Sequence, residues 1–151
     1  MADPGFLRVP SRMVIFRVGA VSYALAIEAV QEILATVAIT PVADAPGGMA
    51  GIASVRGRVV PVFDLHWKLG VATGTGPRQL ILVDHDSGTV GLTVDAVEEV
   101  AAVPREAFQP VRTPGQQSAL GYLLGCFQWG ERIVLWVDHN RLVPAAVARA
   151  A

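Results

Sequence analysis

Apolar residues along this chain fall into runs of four to seven, each broken by Gly, Pro, Asp or Ser. Runs of that length are strand-sized, and alternation inside several of them has the period of an extended chain. The pattern predicts a strand over Met13-Val-Ile-Phe-Arg-Val18, a turn at Gly19-Ala-Val-Ser22 and a second strand over Tyr23-Ala-Leu-Ala-Ile27, with Tyr23, Leu25 and Ile27 on one face. A third run starts at Val30-Gln-Glu-Ile33, reaches Ile39 and is closed by Pro41 and Pro46-Gly47-Gly48. Gly51-Ile-Ala-Ser-Val55, a tight turn at Arg56-Gly57 and Arg58-Val-Val-Pro-Val-Phe63 read as a second hairpin. Pro61 has no N–H for a ladder, which places that strand at an edge or a barrel seam. Asp64 to Leu69 suits one helical turn, and Gly70 to Pro77 is the best linker in the chain. The same order then recurs: strands at Gln79–Val83, Val90–Val94, Val97–Val100, Leu124–Trp129 and Arg132–Val137, then a helix from its N-cap Asp138 toward Ala148.

Laid over itself, the chain repeats. At an offset of 67, residues 14–33 match 81–100 without a gap, and Ile27-Glu-Ala-Val30-Gln-Glu32-Ile33 meets Val94-Asp-Ala-Val97-Glu-Glu99-Val100. At an offset of 74, Gly51 meets Gly125, and Arg58-Val-Val-Pro-Val-Phe-Asp64 meets Arg132-Ile-Val-Leu-Trp-Val-Asp138. A duplicated unit of five short strands in roughly 55 residues suits a small closed barrel, which hides its edges. The expected architecture is all-β: two tandem five-stranded SH3-like barrels with a short C-terminal helix. The first would span about 13–70 and the second about 78–143, with tails at 1–12 and 144–151. Two units that small would share a central apolar seam.

Composition sharpens this. Of 151 residues, 52% are apolar and 17% charged, which excludes a disordered chain. Twelve basic against thirteen acidic residues leave no cationic excess for nucleic acid or an anionic membrane surface. No run approaches the ~20 apolar residues of a membrane span, and Met1 to Val9 lacks a signal-peptide core. The single cysteine, Cys126, fits a reducing cytoplasm and reads as core filler beside Phe127 and Trp129.

Candidate catalytic chemistry is thin. The three histidines lie near aspartates, in Asp64-Leu-His66, Asp84-His85-Asp86 and Asp138-His139-Asn140. Each group follows an apolar strand, where Asp and Asn bond their own backbone in turns, so no metal site is expected. Adjacent Glu98 and Glu99 point to opposite faces of a strand. Gly74-Thr-Gly76-Pro77 lacks the lysine of a phosphate loop, and no nucleophile elbow is present. No cofactor is called for, and the chain is not expected to be an enzyme. The two halves differ at one turn, where Val55-Arg56-Gly57 stands against Trp129-Gly130-Glu131. A fixed cation at a tight turn in one copy only is a recognition candidate.

Taken together, Tyr23-Ala-Leu-Ala-Ile-Glu-Ala-Val30-Gln-Glu32-Ile33, Pro46, Gly51-Ile-Ala-Ser-Val-Arg56-Gly57-Arg-Val-Val-Pro61-Val-Phe-Asp64-Leu and Val90-Gly-Leu-Thr-Val-Asp95-Ala-Val97-Glu-Glu-Val100 resemble the CheW family of bacterial chemotaxis coupling proteins, from about Met13 to Val143. The resemblance implies two five-stranded barrels. It also implies a cytoplasmic, non-enzymatic scaffold at receptor arrays, joining the chemoreceptor tip to the regulatory domain of the histidine kinase CheA. Carried over residue by residue, it marks Val30, Glu32, Ile33, Gly51, Arg56, Gly57 and Val97 as receptor- or kinase-binding positions, with Glu32 and Arg56 able to pair. The usual Asn two residues before the Arg is Ser54 here. The alternative is a double barrel binding a small molecule or an oligonucleotide, which would need exposed aromatics on a basic face; only 7% of residues are aromatic.

Overall fold

A computed structural model describes residues 12–35, 37–72, 76–111 and 121–143. It contains strands β1 (Met13–Val18), β2 (Val21–Ala26), β3 (Val30–Leu34), β4 (Met49–Val55), β5 (Arg58–Asp64), β6 (Gln79–His85), β7 (Gly88–Val94), β8 (Ala96–Ala101), β9 (Leu123–Trp129) and β10 (Arg132–Val137). Two short helices, α1 (Leu65–Leu69) and α2 (His139–Leu142), follow β5 and β10. The expected hairpins β1–β2, β4–β5, β6–β7 and β9–β10 are all antiparallel pairs. Both helices start as read: Asp64 accepts from the His66 N–H and Asp138 from the Asn140 N–H. The two caps repeat even in dihedral angle, at φ −92°, ψ 111° and φ −93°, ψ 111°. Gly70, at φ +69°, ends α1 in the left-handed conformation that favours glycine. The part of the C-terminal helix expected beyond Val143 lies outside the described residues.

The strands form two five-stranded sheets, but not one per repeat. The first has the order β8-β1-β2-β10-β9 and the second β3-β6-β7-β5-β4. Exchanging every strand for its counterpart five places along the chain turns one order into the other, so the sheets are equivalent. Each sheet takes its central hairpin from one half of the chain and its other three strands from the other half. The second sheet is continuous in sequence, from Val30 to Val94, and is inserted within the first. The exchange of strands between sheets runs across the expected division at about 70–78. The chain passes between sheets at 27–29 and at Asp95, and the expected linker, whose residues 73–75 lie outside the description, joins α1 to β6 within one sheet's strands. Pro61 likewise sits in an interior strand rather than at an edge, but the parallel ladder of β5 with β7 begins only at Val62. No donor is demanded of Pro61 on that side.

Burial follows from this arrangement. Met13, Ile15, Ala24, Phe127, Val134 and Trp136 fill the first barrel with Phe108. Ala53, Val55, Val60, Val62, Leu80 and Leu82 fill the second. Phe16, Val18, Tyr23, Leu25, Ile81, Val83, Val90, Leu92 and Val94 form the seam between them. Strands β1 and β6 thus present one side to a barrel and the other to the seam. That explains why both are near-continuous apolar runs rather than alternating ones. One edge of each sheet is covered: Thr40 bridges Ile52 on β4 and Gln109 bridges Cys126 on β9.

A polar strip closes one side of the seam. The His66 side chain, 0% exposed, places Nδ1 3.0 Å from Asp64 Oδ1 and Nε2 2.8 Å from Asp95 Oδ1. Asp95 also accepts from the Gly19 N–H at 2.6 Å, and Arg17 lies 3.7 Å away. Burial alone would raise the Asp95 carboxyl, but the Gly19 N–H, His66 and Arg17 together hold it below the usual carboxylate range.

Candidate partner-binding site

Val55-Arg56-Gly57-Arg58 makes a two-residue hairpin loop in which both central residues have positive φ, +52° at Arg56 and +79° at Gly57. That is the requirement of a type I′ turn, whose twist matches its strands. Gly57 is needed for conformation alone, since a Cβ there would meet nothing within 4 Å. Arg56 is the more telling residue, because a long side chain in the left-handed region is uncommon and such positions cluster at functional sites. Its side chain is 76% exposed at the tip of the hairpin.

Opposite the tip stands β3, the other edge of the same sheet. Arg56 Nε donates to Glu32 Oε1 at 3.1 Å and Nη2 donates to Oε2, a bidentate fork that ties the two edges together. The hydrogen bond from Arg56 holds the Glu32 carboxyl below its usual range, and Glu32 in turn raises the guanidinium. The pair lies on one barrel, not buried between the two.

The remaining expected positions divide. Val30 and Ile33 flank Glu32 on β3, half-buried, opposite Val83 and Ile81 of β6. They share the β3 edge of the second barrel with Glu32, to which Arg56 reaches from the β4–β5 turn. Gly51 is buried, and a Cβ on it would lie 2.2 Å from the Thr40 carbonyl oxygen. Its φ of +150° is equally unsuited to a side chain. The structure thus gives Gly51 a backbone reason of its own. Val97 is the counterpart of Val30 in the repeat, lies on β8 opposite Phe16 and packs against the seam, so the structure puts it on the other sheet. Ser54 is exposed on β4 opposite Val59.

Three residues beside the pair were not singled out from the sequence. Arg58 Nη2 donates to Thr89 Oγ1 at 3.0 Å, and Thr89 Oγ1 donates to Gln31 Oε1 at 3.1 Å. The duplication held the signal, since Arg58 aligns with Arg132 and Thr89 with Ser22. Among the described residues no group of three or more His, Cys, Asp or Glu could hold a metal ion. Burial pushes the Cys126 thiol up, away from nucleophilic use. No described helix is long and apolar enough to cross a membrane.

Comparison with known proteins agrees with this geometry. The family model of the CheW-like domain matches residues 12–147. The chemotaxis protein CheW of Klebsiella aerogenes is 30% identical over 138 residues, covering 89% of this chain and 82% of that protein. The chemotaxis protein CheW of Rhizobium meliloti is 29% identical over 141 residues, covering 92% and 91%. Among solved structures, the scaffolding protein TtCheW from Thermoanaerobacter tengcongensis superposes with a TM-score of 0.79 at 25% identity, covering 91% of this chain and 96% of that one. A match over nearly the whole chain, in strand order as well as sequence, establishes that this protein belongs to the CheW family.

Proposed function

We propose that this protein is a non-enzymatic cytoplasmic scaffold that couples chemoreceptors of the methyl-accepting type to a CheA-type histidine kinase in receptor arrays. The observation that carries the reading is the Arg56 tip: a strained, exposed arginine, forked onto Glu32 at the edge that also bears Val30 and Ile33. An apolar edge with one polar register mark suits a helical receptor hairpin lying along it. Gly51 and Gly57 serve that edge by shaping the backbone beneath it. Two equivalent barrels offer two equivalent ends, Val97 belonging to the second, for a kinase regulatory domain of the same double-barrel fold. Such heterologous contacts can close into rings. Signal would pass by contacts that differ between active and inactive kinase arrangements.

The test is a pull-down of the full chain with a receptor cytoplasmic fragment and, separately, with a CheA regulatory domain, using wild type, Arg56→Ala and Glu32→Ala. Wild type should retain both partners and each variant should lose receptor. Wild type retaining neither partner would refute the scaffold reading. Variants that keep receptor would refute the site while leaving the scaffold.

A further inference from the structure

The duplication extends to side-chain contacts, and one difference between the copies has a consequence for recognition. In the first barrel Arg132 Nη1 donates to Ser22 Oγ at 3.0 Å and to Glu98 Oε1 at 2.8 Å, and Ser22 Oγ lies 3.4 Å from the same carboxylate oxygen. In the second barrel the equivalent positions are Arg58, Thr89 and Gln31, linked in the same sense. Glu98 and Gln31 are each the extra residue of a β-bulge. Ile15 and Phe16 of β1 face Glu99 and Val97, while Val83 and Leu82 of β6 face Val30 and Glu32. A bulge re-aims the side chain of its extra residue, here toward the arginine. Beside each relay a neighbouring glutamate binds the last hairpin: Glu32 takes Arg56, and Glu99 takes the Trp129 indole N–H at 2.6 Å.

The chemistry of the two arginines then differs. Arg132 is neutralised by Glu98, whereas Arg58 is held by one neutral acceptor, Thr89 Oγ1, itself bonded to the neutral Gln31, and has no carboxylate within ion-pair distance among the described residues. On the recognition hairpin itself, Arg56 is already compensated by Glu32. The uncompensated positive charge of that hairpin therefore belongs to Arg58, which is exposed.

We infer that Arg58 is a second recognition residue of the proposed receptor edge, taking a carboxylate on the bound receptor tip, with Gln31 and Thr89 as its positioning residues. This rests on the receptor-coupling reading above. A neutral relay fixes the guanidinium without quenching it, so its charge remains available to a partner, and charge pairing of this kind sets register and encounter rate. The glutamate of the other barrel would cancel it.

The experiment measures binding of the full chain to a receptor cytoplasmic fragment across a salt series. It compares wild type, Arg58→Gln, Gln31→Glu, their double variant and Arg56→Ala, with thermal melting as a control for folding. Gln31→Glu installs the carboxylate that the first barrel already carries, so the fold should persist. Arg58→Gln and Gln31→Glu should each weaken binding about tenfold and flatten its salt dependence, and the double variant should be no weaker than Arg58→Gln. If both single variants bind as wild type with unchanged salt dependence while Arg56→Ala loses receptor, the role of Arg58 is refuted and the proposed function stands. If Arg58→Gln weakens binding but Gln31→Glu does not, the charge argument is refuted. If wild type binds no receptor fragment, both readings fail together.

Discussion

Arg56 occupies a backbone region that Asn or Gly enters more easily than a long side chain does. On the proposed reading the position is held for its side chain and not for the turn. Arg56→Asn should melt within about 3 °C of wild type, because the Asn-Gly pair is a favoured type I′ turn, yet retain no receptor fragment in the same pull-down. Gly51 should behave in the opposite way. Gly51→Ala meets the Thr40 carbonyl at 2.2 Å and should lower unfolding free energy by about 2–4 kcal/mol in a urea titration. Any loss of binding would then follow the loss of folded protein. The sequence marked both residues through the family resemblance, but only the dihedral angle and the close approach separate an exposed side chain at a turn tip from a buried backbone requirement. Asp95 brings a pH dependence. Its folded value is depressed, so its contribution is present above the unfolded carboxylate value of about 3.9 and is lost as pH falls through the lower folded value. Asp95→Asn should therefore reduce stability at neutral pH and flatten the acid limb below about pH 4, measured by urea unfolding across pH.

At the level of elements, the hairpins and both helix starts were legible because each has a local cause. Strand-length apolar runs, a turn dipeptide and an Asp cap act over a few residues, so neighbours in sequence suffice to read them. What α1 does beyond its cap was not legible, since its partners lie far along the chain. His66 reads as one more turn histidine, yet it is fully enclosed and reaches Asp95, 29 residues on. The second repeat has Asn140 at the matching place, where the side chain instead accepts from the Asp86 N–H. His66→Asn should keep the Asp64 cap but leave the Asp95 carboxylate short of a donor. A loss of about 1–3 kcal/mol in chemical denaturation is expected, without change in receptor binding per folded molecule.

For the whole molecule, the repeat, the two cores and the seam could be read, but the assignment of strands to sheets could not. The reason is the duplication itself. β3 and β8 carry the same sentence, so local pairing rules fit β1 to either, and only the folded chain shows that β1 takes β8. Reciprocal exchange of the central hairpins has a direct consequence for fragments. A chain of residues 1–72 holds β1 to β5, strands of both sheets and a full set for neither. Expressed separately, 1–72 and 73–151 should each lack native signals in a two-dimensional amide spectrum, and mixing them should restore the spectrum of the intact protein. Barrels each built from one half of the chain alone would give two folded halves instead. The insertion also orders events during synthesis. The second sheet has all of its strands once the ribosome has released Val94, while the hairpin of Met13 to Ala26, made first, waits for Arg132 to Val137 before β2 gains its second neighbour. Through that interval Phe16, Val18, Tyr23 and Leu25 can shelter only against the seam face of the newly completed sheet. This order of synthesis predicts that the finished barrel is the template on which the other one closes.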